Sequence, residues 1–495
     1  MNVCLAHAAP EAEAWIVPLE DGELRVSLPA RLDELARTAL SCGAFKAEPD
    51  ALKTFSCADG GRIVTLVLAG VAPWKSPADS RRSWLALAAA FRAALSAGAA
   101  RVNVMLDNAP SLASPAMFER LAGLPEFVDY RFDRHKRAPS KKHFTQAVFV
   151  TSRSGLQPAL DEGRADAAGM LLARELVDER RDAMRPADLA QRASNLATEL
   201  AGQGLPVTAE VRHEREIRQL GMESFLAVAK GARRSAPPEL IVVRYRGAED
   251  DPRVLALVGK GICFDSGGYS LKSNMRTMFD DMGGAAAVLG ALRTVAAARL
   301  PLNLTVVIAA CENLVSEDSY VPGDIISSMS GRSIEMLNAD AEGRLTLADA
   351  ITYALREENA AAVVDIATLT GAASGAVGRR SAVVMSGHEC LMRTVREAAL
   401  FSCEKVWPLP CDEELRPLLD SPFADLRNSV PGNPSGGGAI LAGLFLREFA
   451  EKRPWLHIDM APVCYFADGA PGAGKGASGW GASLLYHFVK LLSQR

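Results

Sequence analysis

The chain has 495 residues, 49% of them hydrophobic and 23% charged, with a formal net charge of -4. That length exceeds one ordinary core and predicts two domains, while the near balance of charge offers no broad basic face to a polyanion. No apolar run reaches the length of a membrane span, and the start, Met1-Asn2-Val3-Cys4 followed by Glu11 and Glu13, lacks the basic opening of a signal peptide, so a cytoplasmic location without membrane contact is expected.

Residues 1–165 read as a small α/β domain. Ile63–Leu68, Val102–Leu106 and Ala147–Val150 are apolar runs of strand length, and Ser83–Ala97 has helical spacing, with Trp84, Leu87, Phe91 and Leu95 on one side. No catalytic constellation lies here. The basic run Arg134-His135-Lys136-Arg137, with Lys141 and Lys142, suits nucleic acid, but so short a run in a slightly acidic chain reads better as a solvated loop.

From Ser152 to Ala168 the pattern turns polar, with Gly155, Pro158 and Gly163, and a second domain over residues 166–495 is expected beyond it. Met170–Val177 opens a helix, and Pro186–Leu200 another with proline in its first turn. Strands Leu240–Tyr245, Val254–Val258, Leu302–Ala310, Ala361–Ile366, Ala382–Met385 and Trp455–Met460 then alternate with helices Gly284–Ala298, Leu345–Arg356 and Ala439–Ala450. Continuous apolar strands separated by helices predict an α/β fold with a mostly parallel central sheet flanked by helices. In such a sheet the ligand sits outside the carboxyl ends of the strands. Lys260 and Asp265 follow one predicted strand there, Glu312 and Asn313 follow another, and Asp280 and Asp281 precede a helix.

The nine cysteines are scattered, with no Cys-x-x-Cys pair, and are expected to be reduced and mostly buried. None of the seven histidines sits in a His-Glu-x-x-His arrangement, so a metal here would be held mainly by oxygen. His457, within a strand, reads as a hydrogen-bonded core residue.

The stretch Asn338-Ala339-Asp340-Ala341-Glu342-Gly343-Arg344-Leu345 sets two carboxylates and a guanidinium between a turn and a helical pattern. Asp340 and Glu342 converge only where the backbone leaves regular helix, since residues two apart do not face each other on one. Alone, they would serve equally well as acids favoured by the dipole of the following helix. Asp281 has a similar alternative as a helix N-cap. Together, Lys260, Asp265, Asp281, Asp340 and Glu342 form an oxygen-rich set with one amine. Four carboxylates so placed repel one another and stay ionised most readily around divalent metal. Two ions suit this many ligands, as in two-metal hydrolases. Lys272 and Arg344 do not ligate while charged.

Val258-Gly259-Lys260-Gly261-Ile262-Cys263-Phe264-Asp265-Ser266-Gly267-Gly268, Lys272, Asp281-Met282-Gly283-Gly284-Ala285-Ala286 and Asn338–Leu345 together resemble the leucyl (cytosol) aminopeptidases of the M17 metallopeptidase family. Leu220-Gly221-Met222, Pro322-Gly323-Asp324, Ala367-Thr368-Leu369-Thr370-Gly371-Ala372, Val406-Trp407 and His457-Ile458-Asp459 extend the likeness over roughly the last two thirds of the chain. The resemblance implies a metal-dependent aminopeptidase that releases Leu and other bulky apolar N-terminal residues from peptides. It implies two divalent ions per subunit, Zn2+ or Mn2+, with Mg2+ or Co2+ as further candidates. Asp265, Asp340 and Glu342 would hold the tighter ion, and Lys260, Asp265, Asp281 and Glu342 the exchangeable one that receives the substrate's α-amine. Lys272 would neutralise the developing oxyanion, and Arg344 would anchor bicarbonate as general base. Lys272, Asp281, Thr368, Leu369 and Gly371 would bind substrate. A macro-domain-like N-terminal domain and a homohexamer are also implied.

Lys260 would have to ligate as a neutral amine, with its pKa depressed far below its ordinary value, whereas Lys272 would stay charged. The alternatives are a dipeptidase-like hydrolase of Cys-Gly substrates and a non-catalytic nucleic-acid-binding member of the family; nucleic acid is not expected as a partner. Departures from the family pattern are Ala339 where Thr is usual, a short interval from Lys272 to Asp281, Asp178-Glu179-Arg180-Arg181 in place of an Asn/Pro-rich link, and Pro462 in place of Gly. Gly469–Gly476 has the glycine and lysine spacing of a phosphate-binding loop, but Gly476 stands where Ser or Thr must meet magnesium, which argues against a nucleotide hydrolase.

Overall fold

The apolar runs assemble into two separate sheets. The computed structural model describes residues 1–59, 61–73, 77–432, 436–470, 472 and 474–494. The chain divides into one unit of Met1–Ala168, Leu400–Cys403 and Asp468–Gly474, and a second of Gly169–Ala399, Glu404–Ala467 and Lys475–Arg495.

In the first unit β1 (Asn2–Ala6), β2 (Ala14–Leu19), β3 (Leu52–Asp59), β4 (Arg62–Gly70), β5 (Arg101–Met105) and β6 (Gln146–Val150) form a sheet in the order β1-β6-β5-β2-β4-β3. Every neighbouring pair is parallel except β3 with β4. The helix Pro77–Ser96 buries Leu87, Phe91 and Leu95, which recur every fourth residue, and Phe91 meets Phe149 of β6 edge-on at 6.3 Å. The basic run lies on the exposed loop before β6, where Lys142 Nζ donates to the Ser96 carbonyl at 3.1 Å. The helix expected to open at Met170 starts at Gln157 and runs to Asp178, because Pro158 in a first turn needs no intrahelical partner for its missing N–H.

In the second unit the strands up to Asp459 are β7 (Val207–His213), β8 (Glu239–Arg246), β9 (Val254–Asp265), β10 (Asn303–Asn313), β11 (Ile325–Ser327), β12 (Ser333–Glu335), β13 (Ala360–Ala367), β14 (Ala382–Met385), β15 (Val406–Pro408), β16 (Leu426–Arg427) and β17 (Trp455–Asp459). Eight of them form one sheet in the order β15-β14-β17-β13-β9-β10-β8-β7. Its centre, from β17 to β10, is parallel, as predicted; β8, β7 and β14 run antiparallel to their inner neighbours. The fold class is thus the α/β arrangement expected from the sequence.

Alternation along β9 divides its side chains between two cores. Leu255 and Leu257 join the core containing the helix Gly283–Ala297, while Ala256, Val258 and Ile262 join the one containing the helix Gly343–Arg356. Lys260 is in phase with the second set. The strand was expected to end at Val258, but its pairing with β10 continues to Asp265 opposite Asn313, through a bulge at Cys311 and Glu312. Lys260 therefore sits inside the strand, and Asp265 is its last residue.

No disulfide joins the nine cysteines, and only Cys263, Cys311, Cys403 and Cys464 are buried, fewer than expected. Among the described residues no helix is long and apolar enough to cross a membrane. In the phosphate-loop look-alike, Pro471 and Ala473 fall outside the described residues, and Lys475 lies in a strand, Gly474–Ala477, rather than before a helix.

Candidate metal centre

Four segments converge at the carboxyl edge of the parallel strands: the end of β9 with its following turn, Asp281 ahead of the helix Gly283–Ala297, the turn Asn338–Glu342 ahead of the helix Gly343–Arg356, and Thr368–Gly371 after β13. That second helix begins only at Gly343 with Glu342 at its N-cap, so Asp340 lies in the turn ahead of it rather than on the helix. Asp265, Asp340 and Glu342 each place a carboxylate oxygen within 4.8 Å of the others.

Lys260 Nζ lies 2.8 Å from Asp281 Oδ1 and 2.8 Å from Glu342 Oε1, and donates to the Thr368 carbonyl at 2.9 Å. Its room comes from Gly343: a Cβ there would stand 2.6 Å from Lys260 Cε and 2.7 Å from Nζ. Thr368 also donates from Oγ1 to Asp281 Oδ1 at 2.8 Å. Asp281 is not the N-cap of the helix Gly283–Ala297, since Met282 takes that position and the carboxylate turns into the site.

Lys272 Nζ lies 2.8 Å from Asp265 Oδ2 and pairs with Asp340. Asp265 Oδ1 accepts from the Gly267 N–H and from Asn313 Nδ2, both at 2.8 Å. The same Asn313 Nδ2 donates to the Ala339 carbonyl at 3.0 Å, which also receives the Tyr320 hydroxyl at 3.0 Å. Ala339 is fully buried, and its N–H donates to Ser270 Oγ at 3.0 Å. A Cβ on Gly268, whose φ is +54°, would sit 3.0 Å from that of Ala339, so the small side chain fits a crowded turn.

The electrostatics follow from burial. Burial pushes the Asp281 and Glu342 carboxyls up, since it penalises their charged forms. Asp340 moves up for the same reason, despite Lys272. Burial alone would lower Lys260, but Asp281, Glu342 and Asp265 outweigh it and hold the ammonium well above its ordinary range. The neutral amine expected from the sequence is therefore not what these side chains favour by themselves; a cation would have to displace that proton. Lys272 likewise stays charged, as burial is outweighed by Asp265 and Glu342. Burial raises Asp280, beside the site, to about 7.

Three carboxylate oxygens of the site, Asp281 Oδ2, Glu342 Oε2 and Asp340 Oδ1, are buried without a hydrogen-bond partner, the last of them facing the Lys272 ammonium. Orphaned acceptors at this depth are costly, and with four carboxylates and an amine nearby they fit a divalent cation. No histidine competes: His457 is fully buried and its Nδ1 lies 2.5 Å from Asp365 Oδ1.

Arg344 lies at the margin of this cluster. Its Nη1 donates to the Asn428 carbonyl at 2.6 Å, its Nε is buried without a partner, and burial lowers its pKa to about 10. Leu369 and Gly371 belong to the segment after β13, where the Leu369 N–H donates to Asp459 Oδ1 at 3.2 Å and Gly371 opens a short helix to Val377. Glu312 does not join the site; it is fully buried and gripped by Arg181 at 2.9 and 2.6 Å. Asn313, Tyr320, Asn428 and Asp459 were not assigned site roles from the sequence. Asn313 was visible as a polar residue after a strand and Asp459 within the family-like His457-Ile458-Asp459, whereas Tyr320 and Asn428 carried no signal.

A parallel-centred α/β sheet with an acid cluster and two lysines at its carboxyl edge fits the class of metallohydrolases. The chain belongs to the cytosol aminopeptidase family, whose catalytic domain matches residues 171–486. It is 40% identical over 368 residues to the "Probable cytosol aminopeptidase" of Clostridium tetani, covering 73% of this chain and 74% of that one. It is 41% identical over 366 residues to the "Cytosol aminopeptidase" of Pseudomonas aeruginosa, covering 73% and 71%. Among solved structures, the "Bottromycin maturation enzyme BotP" matches with a TM-score of 0.83 at 29% identity, over 98% of this chain and 100% of that one. A second structure of the same enzyme, described as a complex with Mn, matches equally well at 28% identity. The chain is thus an aminopeptidase, a metal-dependent hydrolase of peptides.

Proposed function

We propose that Asp265, Asp340 and Glu342 hold one divalent cation, and that Lys260, Asp265, Asp281 and Glu342 hold a second. The observation that carries this reading is the pair of orphaned, buried oxygens, Asp281 Oδ2 and Glu342 Oε2, among four carboxylates. Two such cations would supply Lewis acidity toward the scissile carbonyl and would acidify a bound water. Zn2+ and Mn2+ are the first candidates, with Mg2+ and Co2+ next; the Mn complex of the related bottromycin enzyme supports Mn2+.

The protein's own groups do the rest. Lys272, already charged, stabilises the carbonyl oxygen as negative charge develops there. Arg344, with its Nε unpartnered, would hold bicarbonate as the general base. Lys260 gives up its proton to ligate, and Asp281, Thr368, Leu369 and Gly371 frame the substrate's N-terminal residue, so cleavage follows the first residue only. Bulky apolar residues such as Leu are the proposed preference. We place the enzyme in the cytoplasm as a homohexamer; the exposed Tyr269, Leu271, Val315, Val321 and Ile325 support an assembled state.

The test is release of Leu, Met or Arg from N-termini, and cleavage of Cys-Gly, after chelator treatment and re-addition of Mn2+, Zn2+ or Co2+. Metal-restored release that is fastest for Leu is expected. Fastest cleavage of Cys-Gly would replace the preference, and no metal-dependent release would sink the reading.

A further inference from the structure

Asp459 ends β17, directly beside Ala367 at the end of β13. Its carboxylate is buried, with 1% exposure, and touches none of the site carboxylates or lysines through a hydrogen bond or ion pair. Instead it gathers one turn. Oδ2 accepts from Thr370 Oγ1 at 2.7 Å, and Oδ1 accepts from the N–H groups of Leu369 and Ala461, each at 3.2 Å. Thr370 Oγ1 in turn accepts from the Ala373 N–H at 3.0 Å, capping the helix that follows.

The turn so fixed presents Thr368, and Thr368 touches only one side of the centre. Its carbonyl receives Lys260 Nζ and its hydroxyl donates to Asp281 Oδ1. The other side is held from different segments, Asp265 by Gly267, Asn313 and Lys272, and Asp340 by Lys272 and by a hydrogen bond from its own N–H to Asn338 Oδ1 at 2.9 Å.

We infer that Asp459 is a positioning residue for the Lys260 and Asp281 half of the centre, acting through the turn Thr368–Thr370. This rests on the two-cation reading above. Groups that orient ligands without touching the ion are worth roughly 10- to 100-fold in affinity. Lys260 and Asp281 would hold only the second ion, so the larger loss falls there, although Lys260 also pairs with Glu342, which both ions would share.

The experiment is calorimetric titration of the chelator-stripped full-length protein with Co2+, comparing wild type with Asp459→Asn, Thr370→Val and Thr370→Ser. Asp459→Asn and Thr370→Val should bind the first equivalent as wild type does and the second about tenfold or more weakly. Thr370→Ser, which keeps the hydroxyl, should restore the second. If Asp459→Asn does not fold, the two Thr370 variants decide. Two ions in wild type with an unweakened second in the folded variants, or equal weakening of both, overturns the inference and leaves the two-cation reading standing. Fewer than two ions in wild type overturns that reading and this inference with it.

Discussion

Asn313 and Asp265, the last residues of adjacent parallel strands, are joined by an amide that donates 2.8 Å to the carboxylate while reaching the Ala339 carbonyl at 3.0 Å. One side chain thereby ties the end of β9 to the acid turn. With both its acceptors fixed, Asn313 cannot exchange its oxygen and nitrogen without setting oxygen against oxygen. Its buried Oδ1 is left without a partner as a result.

Asn313→Leu should therefore destabilise the metal-stripped protein by about 1–3 kcal/mol, the usual cost of stranding buried acceptors. Asp265 would keep the Gly267 N–H and Ala339 the Tyr320 hydroxyl, which limits the loss. Urea unfolding in chelator measures it; an unchanged midpoint would remove Asn313 from the scaffold.

The two lysines should separate cleanly. Lys260→Arg keeps the charge but cannot deprotonate, so metal analysis should find about one ion per chain in place of two. Lys272→Ala should retain both ions and lose on the order of 10²–10³ in kcat, as for removal of a transition-state donor. Metal lost from the second variant and kept in the first would reverse the roles.

Metal uptake should be linked to pH through Lys260. The carboxylates raise its pKa, so the amine is protonated throughout the neutral range and a cation must displace that proton. Affinity for the second ion then rises with pH, about tenfold per unit while one proton is released. Titrations in buffers of different ionisation enthalpy count that proton, and a pH-independent affinity would exclude the amine as ligand.

Arg181 and Glu312 form a bidentate pair whose acid is wholly buried. Arg181→Ala leaves that charge uncompensated and should cost about 3 kcal/mol, toward the low end for a buried pair because Arg181 is partly exposed. Its neighbour Arg180 stands 4.2 Å over the Phe279 ring, two residues before Asp281, so slackening here should also weaken the second ion. A thermal melt with and without Mn2+ reads both effects.

The central strands were legible because each is a run of apolar residues buried on both faces. The true length of β9 was not: Gly259, Lys260 and Gly261 interrupt the run, and only pairing with β10 carries the strand on to Asp265. β7 escaped notice because Thr208, Glu210 and Arg212 break its apolar pattern at the sheet edge. Asp340 and Glu342 stood out through local spacing. Asn428 did not, because its contact with Asn338 reaches about ninety residues along the chain and no local pattern records it; Asp459 was visible in His457-Ile458-Asp459, but its hold on Thr370 was not. Ala339, unexplained by its own chemistry, is explained by its backbone, which accepts from two neighbours and donates to a third.

Gly343 gives the lysine a hard stop. The wall behind Lys260 on that side is main chain at the start of a helix, not a side chain that turns aside. The amine's reach is thus set by the position of a helix. Any ligand, partner or substitution that shifts Gly343–Arg356 along its axis would retune the amine's position and carry the Glu342 cap with it.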